Sequence, residues 1–244
     1  MLEKYHLVDL PWDSDYFGIA VSRVDLLSEL TEGEFSELRE VVKKYDFLTI
    51  SNPKGLQNNN RFISEILSAY LVDVNVTFSK RKVGEESVTC NKQDYEVVNA
   101  DQIGNLDDIV KIAGESFVNS RFYNDTNISN EKASQLYINW IKQSINHNNT
   151  YFSLYVKNGR CKGFLLFSKK NTEWVIELVA VDKSCRNMHI GKRLMQNAIS
   201  FDGIVDNAII KVGTQIENIS AMNYYYSSGF VIKDIKYIYH LWIK

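Results

Sequence analysis

EWVIELVAVDKSCRNMHIGKRLMQNAISF, residues 173–201, is the stretch whose reading decides the fold. Val175 to Val181 carries β-branched residues in a run too short for an independent helix, and it stops at Asp182. Leu194, Met195, Ala198 and Ile199 then recur at three- and four-residue spacing, which predicts a helix with an apolar stripe against a sheet. Between them lies the polar turn Arg186-Asn187-Met188-His189-Ile190-Gly191. Its amides would project from the N-terminus of that helix. The first amides of a helix lack intrahelical partners, and aligned peptide dipoles leave the terminus partly positive, so such a turn suits phosphate. Taken alone, it fits an ordinary strand-loop-helix junction equally well.

The second half of the pattern is Asn218-Ile219-Ser220-Ala221-Met222-Asn223-Tyr224-Tyr225-Tyr226-Ser227-Ser228-Gly229-Phe230. An Arg-x-x-x-x-Gly turn after a strand, followed by Asn-x-x-Ala-x-x-x-Tyr-x-x-x-Gly-Phe, resembles the GCN5-related N-acetyltransferase superfamily. Asn218, Ala221, Tyr225, Gly229 and Phe230 match at all five positions of the second motif. The first departs at His189, where the family usually has a glycine, and this bears on cofactor affinity.

Working outward, 244 residues exceed one domain of about 150 and fall short of two, which predicts one full domain and a partial one. The hydrophobic fraction of 45% is enough for a buried core, and a net charge of -2 gives no basic excess for nucleic acid or anionic membrane. Neither partner is expected. Cys90, Cys161 and Cys185 form no Cys-x-x-Cys pair, and the four histidines lack ligand spacing, so reduced thiols and no metal are expected. No apolar leader opens the chain and no run approaches the roughly 18 residues that span a bilayer, which predicts a cytoplasmic protein.

Residues 1–85 alternate strand and helix signals: strands over 16–24, 45–51 and 71–79, helices over 31–44 and 60–69. The helix-strand pair from Phe62 to Phe78 has the layout of the pair from Tyr225 to Tyr239, which points to a degenerate half-copy of the C-terminal fold. Residues 86–94 read as a linker, and 95–244 as the catalytic domain. There a strand at 95–99 precedes a helix capped by Asp101, a helix follows over 130–145, and Asn158-Gly159 marks a hairpin. Strands at 208–212 and 231–242 flank the motif helix. The fold class is α/β, a mixed central sheet flanked by helices.

By the resemblance, the edge of Leu178, Val179, Ala180 and Val181 pairs with the pantetheine arm of acetyl-CoA or a short acyl-CoA. The amides of Arg186, Asn187, Met188, His189, Ile190, Gly191 and Lys192 hold its pyrophosphate, and Asn218 reaches the pantetheine or the thioester region. Tyr225 is the general acid for the departing thiolate. Glu177, a carboxylate in an apolar run and on the face of Val179 by alternation, is either a base acting through water or an edge residue.

The layout is also similar to bacterial enzymes that N-acetylate dTDP-4-amino-4,6-dideoxygalactose. The shared features are Trp12-Asp13-Ser14-Asp15-Tyr16-Phe17-Gly18, Ser120-Arg121-Phe122, Tyr137-Ile138-Asn139-Trp140-Ile141 and Thr214-Gln215. This resemblance implies a dTDP-amino sugar as acceptor, an acetyl or 3-hydroxybutanoyl donor, and Arg121 and Tyr123 as substrate contacts. The position of the sugar amine stays open, and a homodimer is plausible by family habit. Two other readings are an acetyltransferase for protein N-termini or polyamines, and a non-catalytic acyl-CoA-binding regulator.

Overall fold

A computed structural model describes residues 3–53, 55–84 and 94–243. The expected linker, Asp94 apart, lies outside the described residues. Among the described residues ten strands form one sheet in the order β1-β2-β3-β10-β4-β9-β8-β7-β6-β5. In chain order they are β1 Tyr5–Asp9, β2 Val21–Leu26, β3 Phe47–Pro53, β4 Tyr70–Arg81, β5 Tyr95–Asn99, β6 Thr150–Lys157, β7 Arg160–Lys170, β8 Glu173–Val181, β9 Ile209–Gln215 and β10 Val231–Trp242. The helices are α1 Pro11–Phe17, α2 Glu32–Val42, α3 Gln57–Glu65, α4 Asp107–Ser116, α5 Asn130–Ser144, α6 Ile190–Ile199 and α7 Ile219–Ser227. Among the described residues no helix is long and apolar enough to cross a membrane.

The sheet reads alike from either side of its centre. The parallel pair β2–β3 lies beyond β10, and the parallel pair β9–β8 lies beyond β4, with β10 and β4 antiparallel between them. The C-terminal strand therefore inserts next to β3, and β4 separates it from β9. Four apolar cores result. One packs α6 and α7 on Val76, Phe78, Ile176 and Val212, and another packs α4 and α5 on the opposite face of Phe164, Leu178 and Ala180. A third seats α2 and α3 on the N-terminal strands, and a fourth joins α1 and α5 through Phe122 and Ile128 to Val21 and Phe47.

Local signals explain most elements. Thr31 and Glu34 close a reciprocal capping box at the start of α2, and Asn158 and Gly159 both take positive φ in the β6–β7 hairpin. Two expectations fail. The strand expected over 16–24 begins as α1, because Pro11 opens a helical turn and Gly18 closes it in the left-handed region; only Val21 onward is extended. Asp101 caps no helix. It sits in a short 3-10 turn, while α4 starts at Asp107, whose amide donates to Asn105 Oδ1 at 2.7 Å.

Candidate active site

The ladder between β8 and β9 stops at Ile176–Val212, although β8 runs on to Val181 and β9 to Gln215. Past that point the strands part and leave the β8 edge unpaired on that side. A cleft of about 490 Å³ fills the gap, lined by Val175 to Val181, Gly191, Asn218, Ala221 and Tyr225.

A bulge sits at the parting. Leu166 pairs with Leu178 and Phe167 with Ile176, so Glu177 is an extra residue in β8. Before it, Trp174 and Ile176 pack toward α6 and α7; after it, Leu178 and Ala180 pack toward α4 and α5, and Val179 and Val181 take the α6 side. The expectation that Glu177 shares the face of Val179 is thereby corrected. Its carboxylate accepts from Trp140 Nε1 at 3.0 Å and Ser168 Oγ at 2.5 Å, and pairs with Lys170 at 3.1 Å. Burial pushes its pKa up, but Ser168, Lys170 and Trp140 together outweigh this and hold it below the usual glutamate value.

At the far end of β8 the chain turns into α6. Arg186 Nε donates to the Val181 carbonyl at 3.3 Å, and Asn187 and His189 both adopt left-handed φ. Histidine and asparagine enter this region more readily than most side chains, which is how the turn forms with His189 where the family usually has a glycine. No side chain caps α6 and no acidic residue stands in its first turn, where Lys192 and Arg193 are exposed. Tyr224 donates to the Gly191 carbonyl at 2.7 Å and ties α7 to this terminus. A Cβ on Gly191 would meet the Tyr224 ring only at 3.7 Å, an ordinary contact, so neighbouring protein does not demand the glycine. Bare amides, flanking cations and a missing side chain fit a coenzyme A pyrophosphate.

Asn218 caps α7, its Oδ1 accepting from the Ala221 amide at 3.1 Å, and its side-chain amide nitrogen remains for the cleft. Tyr225 is buried against Phe78 and Phe230, lines the cleft, and its hydroxyl makes no hydrogen bond among the described residues. Burial raises its pKa well above the usual phenol value, so the proton stays on it.

The loop between α4 and α5 contributes Phe117, Asn119, Ser120 and Arg121 to the wall of the cleft. Arg121 lines the cleft, and its guanidinium stacks 4.4 Å from the Phe122 ring centre. The loop is pinned to the N-terminal strand β4 and to β10 through Asp125, which is fully buried. Its carboxylate accepts from Tyr70 at 2.7 Å and Trp242 at 2.9 Å and meets His240 Nδ1 at 2.6 Å. Burial raises the Asp125 pKa, but these bonds overcome it and keep the group ionised. Tyr123 is not brought to the site: it packs against two apolar cores and does not line the cleft.

Sequence reasoning missed two side chains here. Val76 and Phe78 face α6 and α7, so alternation turns Asp73 and Asn75 to the opposite face, toward the α4–α5 loop. Asn75 lines the cleft, and Asp73 is buried near Arg121. Burial pushes the Asp73 carboxyl up to about 6, partly offset by Arg121. The only available signal was an aspartate in an alternating strand, which reads equally well as a solvent-facing residue.

Residues 108–230 match the Acetyltransferase (GNAT) family. The spore coat polysaccharide biosynthesis protein SpsD of Bacillus subtilis is 23% identical over 241 residues, which covers 96% of this chain and 82% of that protein. A conserved protein of unknown function from Staphylococcus epidermidis superposes with a TM-score of 0.69 at 14% identity over 91% of this chain and 90% of its own. A GCN5-related N-acetyltransferase from Sphaerobacter thermophilus does so at 0.68 and 11% identity over 99% and 77%. Motif, cleft and sheet agree with the match over 108–230, and the chain belongs to the GNAT acetyltransferase family, enzymes that move an acyl group from acyl-coenzyme A to an amine.

Proposed function

We propose that this enzyme transfers an acetyl or short hydroxyacyl group, such as 3-hydroxybutanoyl, from coenzyme A to the amine of a dTDP-linked amino-dideoxysugar used in a surface polysaccharide. The observation that carries the reading is Arg121, a cation stacked on Phe122 in the lining of the cleft, where an anionic, hydroxylated acceptor needs a donor. The polysaccharide role named for the B. subtilis relative supports it.

The amides of Arg186 to Lys192 hold the cofactor pyrophosphate, the free edge of Leu178 to Val181 pairs with its pantetheine arm, and Asn218 steadies that arm. When bound, the cofactor supplies an acyl group activated as a thioester. An unpaired amide of that edge polarises the acyl carbonyl. Glu177, ionised and fixed by three donors, draws in the protonated amine and takes its proton through water. Tyr225 gives its hydroxyl proton to the departing sulfur. We further read residues 1–85 as a degenerate half-copy of the catalytic fold, a reading supported by the matched positions of β2–β3 and β9–β8 in the sheet.

Carboxylates favour a second reading. Glu177 lines the cleft and Asp73 lies buried near the Arg121 that also lines it, which suits a polyamine or a peptide N-terminus. Thiol release from acetyl-CoA and 3-hydroxybutanoyl-CoA, each with dTDP-sugars aminated at the third or fourth carbon, with spermidine and with peptides, separates the two. Turnover is expected with one dTDP-sugar. Turnover with polyamine or peptide alone transfers the assignment, and binding of acyl-CoA with no acylation of any amine favours a regulator.

A further inference from the structure

A second cavity of about 530 Å³ adjoins the cleft and shares Arg121, Trp140, Lys170 and Glu177 with it. It opens at the other end of β8. The cofactor cleft follows β8 to Val181 and Gly191, whereas the second cavity leads from Glu177 back to Lys169 and Lys170 on β7 and to His147 after α5. From Glu173 to Val181 the strand spans roughly 26 Å at about 3.3 Å per residue. With the α6 terminus claimed by one substrate, the distal part of the other has the opposite end to itself.

We propose that this cavity seats the nucleoside diphosphate of the acceptor, with Lys169 and Arg121 meeting the phosphates and Trp12 forming a stacking wall for the base. The inference rests on the nucleotide-sugar reading above. Three features support it. The size is within the roughly 300–1,000 Å³ of small-molecule sites. Its charges are divided in a useful way. Lys170 already has Glu177 as a counter-ion at 3.1 Å, while Lys169 is exposed and makes no ion pair among the described residues. A diphosphate supplies the counter-ion that Lys169 lacks; Arg121 already has Asp13 and Asp73 within electrostatic reach, but its buried Nε has no hydrogen-bond partner among the described residues. Finally, the wall is aromatic. Trp12 is half-buried and stacks on Tyr16 with centroids 5.9 Å apart, and Trp140 of α5 also lines the cavity. Beside Trp12 the Asp13 carboxylate offers an acceptor for a pyrimidine ring N–H or a ribose hydroxyl. Trp12 and Asp13 come from α1, so the N-terminal segment would furnish part of the acceptor site.

The test is calorimetric titration of dTDP into the full-length chain with acetyl-CoA present, for wild type, Trp12→Ala and Lys169→Glu. Wild type should bind one dTDP, and each variant should bind it about tenfold or more weakly, since one stacked base or one phosphate contact carries that much. Acetyl-CoA affinity and melting temperature, measured alongside, should stay at wild-type values. If Trp12→Ala lowers the melting temperature, Lys169→Glu on the exposed strand end decides alone. Wild-type dTDP affinity in Lys169→Glu overturns the subsite and leaves the nucleotide-sugar reading standing. No dTDP binding to wild type, with dTDP-sugars still acylated, also overturns the subsite alone. No dTDP binding together with no acylation of any dTDP-sugar overturns both.

Discussion

Two strand-helix-strand units occupy corresponding places in the sheet, β2-α2-β3 in the N-terminal half and β8-α6-β9 in the C-terminal half. Their helix N-termini differ. In α2 the terminus is filled by its own chain: Thr31 accepts from the Glu34 amide, Glu34 Oε2 accepts from the Thr31 amide at 2.8 Å, and Glu32 adds a second carboxylate. Nearby, Asn59 accepts from the Leu30 amide at 3.0 Å and joins Asn52 and Asn60 in a bonded cluster. In α6 the terminus has no cap and no acid, and it opens on a cleft. The same connectivity thus leaves a helix terminus open in one unit and closes it in the other, decided by two or three side chains, and an open terminus is the one that suits an anion.

That contrast can be broken in graded steps. The largest effect belongs to the chemistry of the open unit. Tyr225→Phe should lower kcat on the order of 10²-fold or more while acetyl-CoA affinity, measured by calorimetry, stays near wild type. Equal loss of both would make Tyr225 a packing residue. Next comes the terminus. Gly191→Asp gives α6 the acidic first turn of α2, and acetyl-CoA should bind about 10- to 100-fold more weakly, with the loss shrinking at high salt.

A smaller effect is expected from Asp73, which the N-terminal half buries near Arg121. Its folded pKa, about 6, lies above the ordinary 3.8. The stability tied to it is therefore full below the ordinary value and is lost as pH rises through about 6. Asp73→Asn removes that loss. In urea melts its stability relative to wild type should rise by about 1 kcal/mol between about pH 5 and about pH 8. A constant difference would mean the carboxyl is not raised. Smallest is Thr31→Ala, which should cost about 1 kcal/mol in the same melts and leave acetyl-CoA affinity unchanged. A change in that affinity would join the two termini functionally.

What was legible in the sequence was local. The run from Val175, the polar turn and the stripe of Leu194 to Ile199 specify β8, the turn and α6 because period and turn chemistry act over a few residues. Asn158-Gly159 and the Asn218-to-Phe230 helix were readable on the same ground. What stayed hidden depends on partners distant in the chain. That β10 lies between β3 and β4 is a pairing of remote segments. The bulge at Glu177 exists only as a two-against-one count across β7 and β8, and without it alternation assigns the wrong face. Asp73 is buried because the Asp125 loop lies over β4, with Asn124 donating to the Val72 carbonyl at 3.0 Å. Aromatic residues from Trp12 to Phe17 masked α1, although Pro11 and Gly18 had already marked its ends.

The most direct measurement is amide hydrogen exchange with and without acetyl-CoA, read segment by segment. If the open terminus of α6 holds the cofactor, acetyl-CoA should slow exchange across 186–193 and leave 31–38 in α2 unchanged. Protection at 31–38, or exchange at 186–193 that acetyl-CoA does not slow, would contradict it.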